Sequence, residues 1–93
     1  MRTIERSTAF KRDYKRESKG RYRSTIDADL VTVLTALASD KPLEAKYRDH
    51  DLGGIWIGYR DCHIKPDLVL IYRKPDAKTL RLARLGSHSE LFD

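Results

Sequence analysis

The chain predicts an α+β domain, a small antiparallel β-sheet with two N-terminal helices packed on one face, in the order β-α-α-β-β-β. Three observations predict it. Ile26, Leu30, Val33, Leu34 and Leu37 recur at the spacing of one helix face. The run LVLIY, residues 68–72, is apolar throughout and rich in branched side chains, as a central strand covered by other layers must be. Short proline-bearing connections, KPD at 65–67 and KPDAK at 74–78, separate that run from apolar segments on either side. Connections this short join antiparallel neighbours.

The elements follow in order. RTIERS, residues 2–7, reads as a short first strand with Ile4 as its one strongly apolar residue. Ser7 is placed to cap a helix that runs to about Gly20, because its hydroxyl can accept from the free N–H groups of the first turn. Phe10 and Tyr14 stand four apart on that helix and share a face, with basic residues around them. The second helix begins near Ser24, carries Asp27 and Asp29 where the dipole favours them, and ends at SDKP, since a proline disfavours helix in the residue before it. GIWIGYRDCHI then alternates, with Ile55, Ile57 and Tyr59 on one face, and predicts a strand. LVLIY and TLRLARL complete a three-stranded meander over residues 54–85, and the helices cover one of its faces. Trp56 and Tyr59 are expected to pack in the core.

Ninety-three residues predict a single domain, 1–93, with a thin core. A charged share of 35% against a hydrophobic share of 40% suits a compact domain with a heavily charged exterior. Cys62 is the only cysteine, so no internal disulfide can form, and a reducing compartment is expected. MRTIERSTAF holds no apolar run of signal-peptide length, and no stretch approaches a membrane span, so a cytoplasmic protein without membrane contact is expected. The net charge of +5 is uneven: residues 1–23 hold nine Lys/Arg against three Asp/Glu, and the remainder ten against eleven. A basic run of this kind is either a solvated helix face or a phosphate-binding surface, and an acidic protein partner would suit it equally.

Polar residues collect at the strand ends. His63 ends one strand and Asp67 begins the next, so a carboxylate stands close enough in sequence to orient an imidazole. The third meander strand runs back antiparallel, which returns His88 toward the same turn. His50, in RDHD, is equally compatible with a loop. Arg84, two residues before Gly86, reads either as a surface arginine or as a phosphate clamp, and Phe92 as a core plug or a stacking ring. No H-x-x-x-H pairing points to a metal, and the G-x-S-x-G elbow, the P-loop and the dinucleotide fingerprint are all absent.

Three ordered motifs carry a family resemblance. D-H-x-L-x-G-x-W at 49–56, R-D-x-H-I-x-P-D at 60–67 and R-x-G-[ST]-H-x-x-L-F at 84–92 together resemble the YafQ-type branch of the RelE toxin superfamily, the toxins of bacterial type II toxin–antitoxin modules. The resemblance implies a RelE-like fold, a small antiparallel sheet with two N-terminal helices, which agrees with the meander read from periodicity. It also implies a ribosome-associated mRNA endonuclease that needs no cofactor, because the substrate's own 2′-hydroxyl is the nucleophile. His50, His63, Asp67 and His88 would be the catalytic set, with Arg84 and Phe92 holding the substrate. The basic helix residues Lys11, Arg12, Lys15, Arg16 and Lys19 would meet RNA or the ribosome. Implied partners are a cognate antitoxin, mRNA and ribosomal RNA, with DNA reached only through the antitoxin complex. One departure stands out: an aromatic residue can follow the P-D aspartate in these toxins, and here the position is Leu68. The alternative on the same scaffold is a non-enzymatic ParE-type toxin that inhibits DNA gyrase.

Overall fold

The structure, a computed structural model, describes residues 1–92. Strand β1 (Thr3–Arg6) leads into helix α1 (Thr8–Glu17) and then α2 (Ile26–Ala38). A two-residue strand β2 (His50–Asp51) precedes β3 (Arg60–Lys65), β4 (Leu68–Arg73) and β5 (Thr79–Gly86), and a short helix α3 (His88–Phe92) follows. The sheet order is β1-β5-β4-β3-β2. The meander of β3, β4 and β5 is antiparallel, as are β2 and β3, but β1 lies parallel to β5, so the sheet is mixed rather than purely antiparallel. Ser7 caps α1 by accepting from the Phe10 N–H at 2.9 Å. Helix α1 ends three residues before Gly20, and α2 starts two residues after Ser24.

Helices α1 and α2 cover one face. Phe10, Ile26, Leu30, Val33 and Leu37 pack there against Cys62, Ile64, Leu70, Tyr72, Leu80, Leu82 and Leu85. A smaller cluster on the opposite face joins Val69, Ile71, Ala83 and Leu91, with Leu52, Trp56, Tyr59 and Phe92 packed around it. The central strand is therefore apolar on both faces, which is why LVLIY reads without alternation. Leu68 is buried among the helix-side residues, so the position after Asp67 offers no stacking surface.

The first meander strand is shorter than expected. Residues 54–56 form a single 3-10 turn, and the alternating pattern of GIWIGYR is not a strand. Gly54 at φ 61° and Gly58 at φ 90° adopt backbone conformations that only glycine takes readily, and they turn the chain out of the sheet. Ile55 and Ile57 consequently face solvent, at 95% and 77% exposure. Trp56 and Tyr59 do pack, edge to face with ring centroids 5.3 Å apart.

Candidate active site

Strand alternation decides what β3 presents on the face away from the two long helices. Cys62 and Ile64 point to the helix side, so Asp61 and His63 share the other. Asp61 pairs across to His50 on β2 and to Ile71 on β4, and His63 pairs with Val69. The carboxylate of Asp61 is almost wholly buried, with its Oδ1 lacking a hydrogen bond among the described residues. Burial pushes its pKa above the ordinary value, while His50, His63 and His88, all near enough to act on it by charge, pull the other way. His50 touches this carboxylate directly, His63 shares its strand face, and His88 on α3 lies within reach of its charge.

The imidazole tautomers follow from their surroundings. His50 Nδ1 lies 2.7 Å from the Arg48 carbonyl oxygen, which can only accept, so Nδ1 carries the proton, and the same nitrogen stands 3.1 Å from Asp61 Oδ1. His63 Nδ1 lies 3.1 Å from the Pro66 carbonyl oxygen and is a donor by the same reasoning. Each ring is left with Nε2 as the nitrogen that can accept a proton. Arg60 holds His50 in place from the opposite face. Its guanidinium reaches Asp49 at 3.2 Å and Asp51 at 2.6 Å, the residues on either side of His50, while the Tyr72 hydroxyl donates to Asp49 at 2.5 Å. Holding i−1 and i+1 on one side of a strand sends residue i to the other.

At the third corner, β1 pairs with β5 only as far as Leu82, and side chains of α1 complete the edge beyond it. Ser7 Oγ donates to the Ala83 carbonyl at 2.7 Å, Asp13 accepts from the Leu85 N–H at 3.0 Å, and Arg16 donates to the Leu85 carbonyl at 3.1 Å. Asp13 also takes both arms of Arg84, at 2.7 and 3.2 Å. Arg84 is thus bound to a buried carboxylate rather than lying free, and the structure gives it a structural partner that its surroundings in sequence do not suggest. The chain turns at Gly86, where a Cβ would stand 3.0 Å from the Arg16 guanidinium and 3.3 Å from Glu90 and Leu91. A larger residue would have to displace these side chains, so glycine lets α3 pack closely here. Phe92 then lies against His88, ring centroids 4.6 Å apart.

Asp67 does not join this cluster. Its carboxylate accepts from the Tyr22 hydroxyl and from Arg21 at 2.7 Å, and these partners, Tyr22 first, lower its pKa. It therefore fixes the β3–β4 turn to the segment between α1 and α2, and the group that touches His63 is the Pro66 carbonyl. Of the basic helix residues, Lys11, Arg12, Lys15 and Lys19 are exposed and make no ion pair among the described residues, whereas Arg16 is spent on Asp13, Glu17, Glu90 and Leu85.

Asp61 is the residue that reasoning from sequence passed over. Its signal was present in R-D-x-H, because a residue two before His63 on a strand must share its face. Among the described residues no group of three His, Cys, Asp or Glu side chains is spaced to hold a metal ion, and no helix is long and apolar enough to cross a membrane.

Comparison with known proteins gives a consistent result. A family model described as bacterial toxin of type II toxin–antitoxin system, YafQ, matches residues 2–93. The mRNA interferase toxin YafQ of Escherichia coli strain K12 is 42% identical over 92 residues, spanning 99% of this chain and 97% of that one. The crystal structure of a copper-bound mutant toxin from Helicobacter pylori superposes with a TM-score of 0.89 at 38% identity, over 99% of this chain and 100% of that one. That of the E. coli DinJ–YafQ complex superposes with a TM-score of 0.84 at 40% identity, over the full length of both chains.

Proposed function

The chain belongs to the YafQ family of bacterial type II toxin–antitoxin toxins, and from that premise we propose that it is an endoribonuclease that cuts mRNA on the ribosome and is restrained by a cognate antitoxin. The observation that carries the chemistry is buried Asp61 with His50 against it at 3.1 Å and His63 on the same strand face, within reach of the charge of His88. Cleavage begins when a histidine Nε2 takes the proton of the RNA 2′-hydroxyl. The 2′-oxygen forms a bond to the adjacent phosphorus, the bond to the 5′-oxygen breaks, and a second histidine gives that oxygen its proton. The products are a 2′,3′-cyclic phosphate and a free 5′-hydroxyl, and no metal is needed to make the nucleophile.

His50 and His63 suit the accepting role, since their Nδ1 atoms are already committed as donors. His88, on α3, is the group assigned to the other proton transfer. The positive charge an imidazole gains when it takes a proton is met by Asp61, which burial leaves in want of such a charge. Phe92 holds the His88 ring and can extend its own face to a base, Arg84, held by Asp13, fixes the end of β5 that leads to His88, and Asp67 secures the turn that presents His63. Exposed Lys11, Arg12, Lys15 and Lys19 supply a cationic face for ribosomal RNA.

The test is induced expression with primer-extension mapping of cellular mRNA, wild type beside His88→Ala, together with an in vitro digest containing EDTA. In-frame cuts in translated regions, cyclic-phosphate ends, insensitivity to EDTA and a loss of about 10²–10⁴-fold in the variant are expected, the usual range for removing a positioned proton-transfer group. Undiminished cleavage by His88→Ala would sink the assignment. Inhibition of purified gyrase without RNA cleavage would replace it with the ParE-type reading.

A further inference from the structure

A groove of about 250 Å³ opens where β2 stops covering β3. His63, Lys65 and Pro66 line it from β3 and the turn after it, Lys46 and Tyr47 from the segment before β2, and Asp29 from α2. We propose that this groove binds the nucleotide beside the cleaved phosphate of an RNA substrate, with Tyr47 as the stacking surface and Lys46 as the phosphate contact. The assignment rests on RNA cleavage at the histidine cluster, because His63 belongs to both.

The charges in the groove favour an anionic, ring-bearing ligand. Lys65 Nζ lies 2.6 Å from Asp29 Oδ2, which cancels the carboxylate that would otherwise repel phosphate. Lys46 has only a long contact to exposed Glu44, at 3.9 Å, and its own side chain is 68% exposed. Its Nζ lies over the Tyr47 ring, 5.2 Å from the centroid. A base entering beneath it exchanges a cation–π contact for a stacked one and leaves the ammonium to pair with a phosphate oxygen. Beyond Lys65, whose Nζ is 5.4 Å from the Tyr22 ring centroid, the surface continues through Tyr22 to Arg21, both of which also hold the Asp67 carboxylate. Cations interleaved with aromatic rings along a shallow path are the make-up of a single-strand track. An acidic peptide would meet the same ammonium groups but would have no use for the rings.

The test uses RNA made uncleavable by a 2′-deoxy sugar at the scission point, so that binding is read apart from catalysis. Affinities of a dinucleotide, and of the same dinucleotide extended by one nucleotide on its 5′ or its 3′ side, are measured by NMR titration. In the wild type one of the two extensions tightens binding about tenfold, as one stacked base does. Lys46→Glu and Tyr47→Ala each reduce that gain to less than about twofold, and Tyr47→Phe restores it. Lys78→Glu, the same charge change on the turn between β4 and β5, keeps it. A gain that survives Lys46→Glu, or a wild type that gains nothing from either extension, overturns the proposal, as does displacement by polyglutamate with no dependence on RNA length. If Tyr47→Ala fails to fold, Lys46→Glu and Tyr47→Phe decide the matter. Failure of the parent reading is separate, since it would show as intact ordinary RNA whatever the groove binds.

Discussion

Asp13 and Arg84, 71 residues apart, form a two-pronged ion pair in which a carboxylate on α1 receives both Nε and Nη2 of an arginine on β5. The same carboxylate accepts from the Leu85 N–H and from Arg16. Burial pushes its pKa up, but the bonds from Arg84 and Leu85 and the charges of Arg84 and Arg16 outweigh that, and the pKa falls below the ordinary value. The pair fixes the end of β5 from which His88 and Phe92 emerge.

Asp13→Ala is expected to destabilise the fold by about 3–5 kcal/mol, the range for removing one partner of a buried pair. Thermal melts check it. A group with a depressed folded pKa contributes stability at pH above its unfolded value of 3.8 and loses it as pH falls through the folded value. The difference between variant and wild type therefore shrinks on acidification below pH 3.8.

Asp61 predicts the reverse. Its folded pKa is raised, so its favourable contribution belongs to acid and is lost as pH climbs from 3.8 through the folded value. Asp61→Asn should melt higher than wild type at pH 7, by roughly 4–8 °C for each kcal/mol of relieved burial in a domain this size. The gain should vanish below pH 3.8, where the wild-type carboxyl is itself neutral. RNA cleavage should fall in the same variant. A protein that melts lower at pH 7 or cleaves as well as wild type would show Asp61 to be a structural group only.

Arg60→Ala releases Asp49 and Asp51 together, and with them the two-residue strand that carries His50. Cleavage should drop about tenfold or more with KM little changed, since the lost geometry acts on proton transfer and not on RNA binding. Arg60→Lys should not rescue it, because one ammonium cannot hold two carboxylates in a fork. Steady-state kinetics on a short RNA measure both constants.

Phe92→Ala removes the ring against His88. The His88 side chain is then free to rotate, and kcat should fall by roughly 10-fold, while Phe92→Tyr retains most of the activity. A retained kcat with a raised KM would instead assign the ring to base stacking alone.

The layers and the meander were legible in the sequence because helix and strand periods are local. Ile26 to Leu37 and LVLIY each announce their own burial. What misled was GIWIGYR, where two residues of isoleucine alternate as in a strand, yet Gly54 and Gly58 allow a left-handed backbone and break the extension. The two-residue strand β2 is too short to show any period. Of the site, His50, His63 and His88 were readable from their motifs, but their common carboxylate was not. Alternation places Asp61 beside His63, while its burial depends on tertiary packing that no local period shows. Asp67 shows the converse: its nearness to His63 in sequence suggested a contact that Tyr22 and Arg21 claim instead.

The edge of β5, finished first by a strand and then by three side chains of a helix, ties the earliest segment to the last one. Neither β1 nor α1 can settle until residues 79–86 have been made, and α3 has no anchor until they do. The candidate site is therefore assembled in one late closure, after residues 79–86 have been made. Loops of this length close slowly relative to local helices. Folding of the candidate site thus waits on contacts that span most of the sequence.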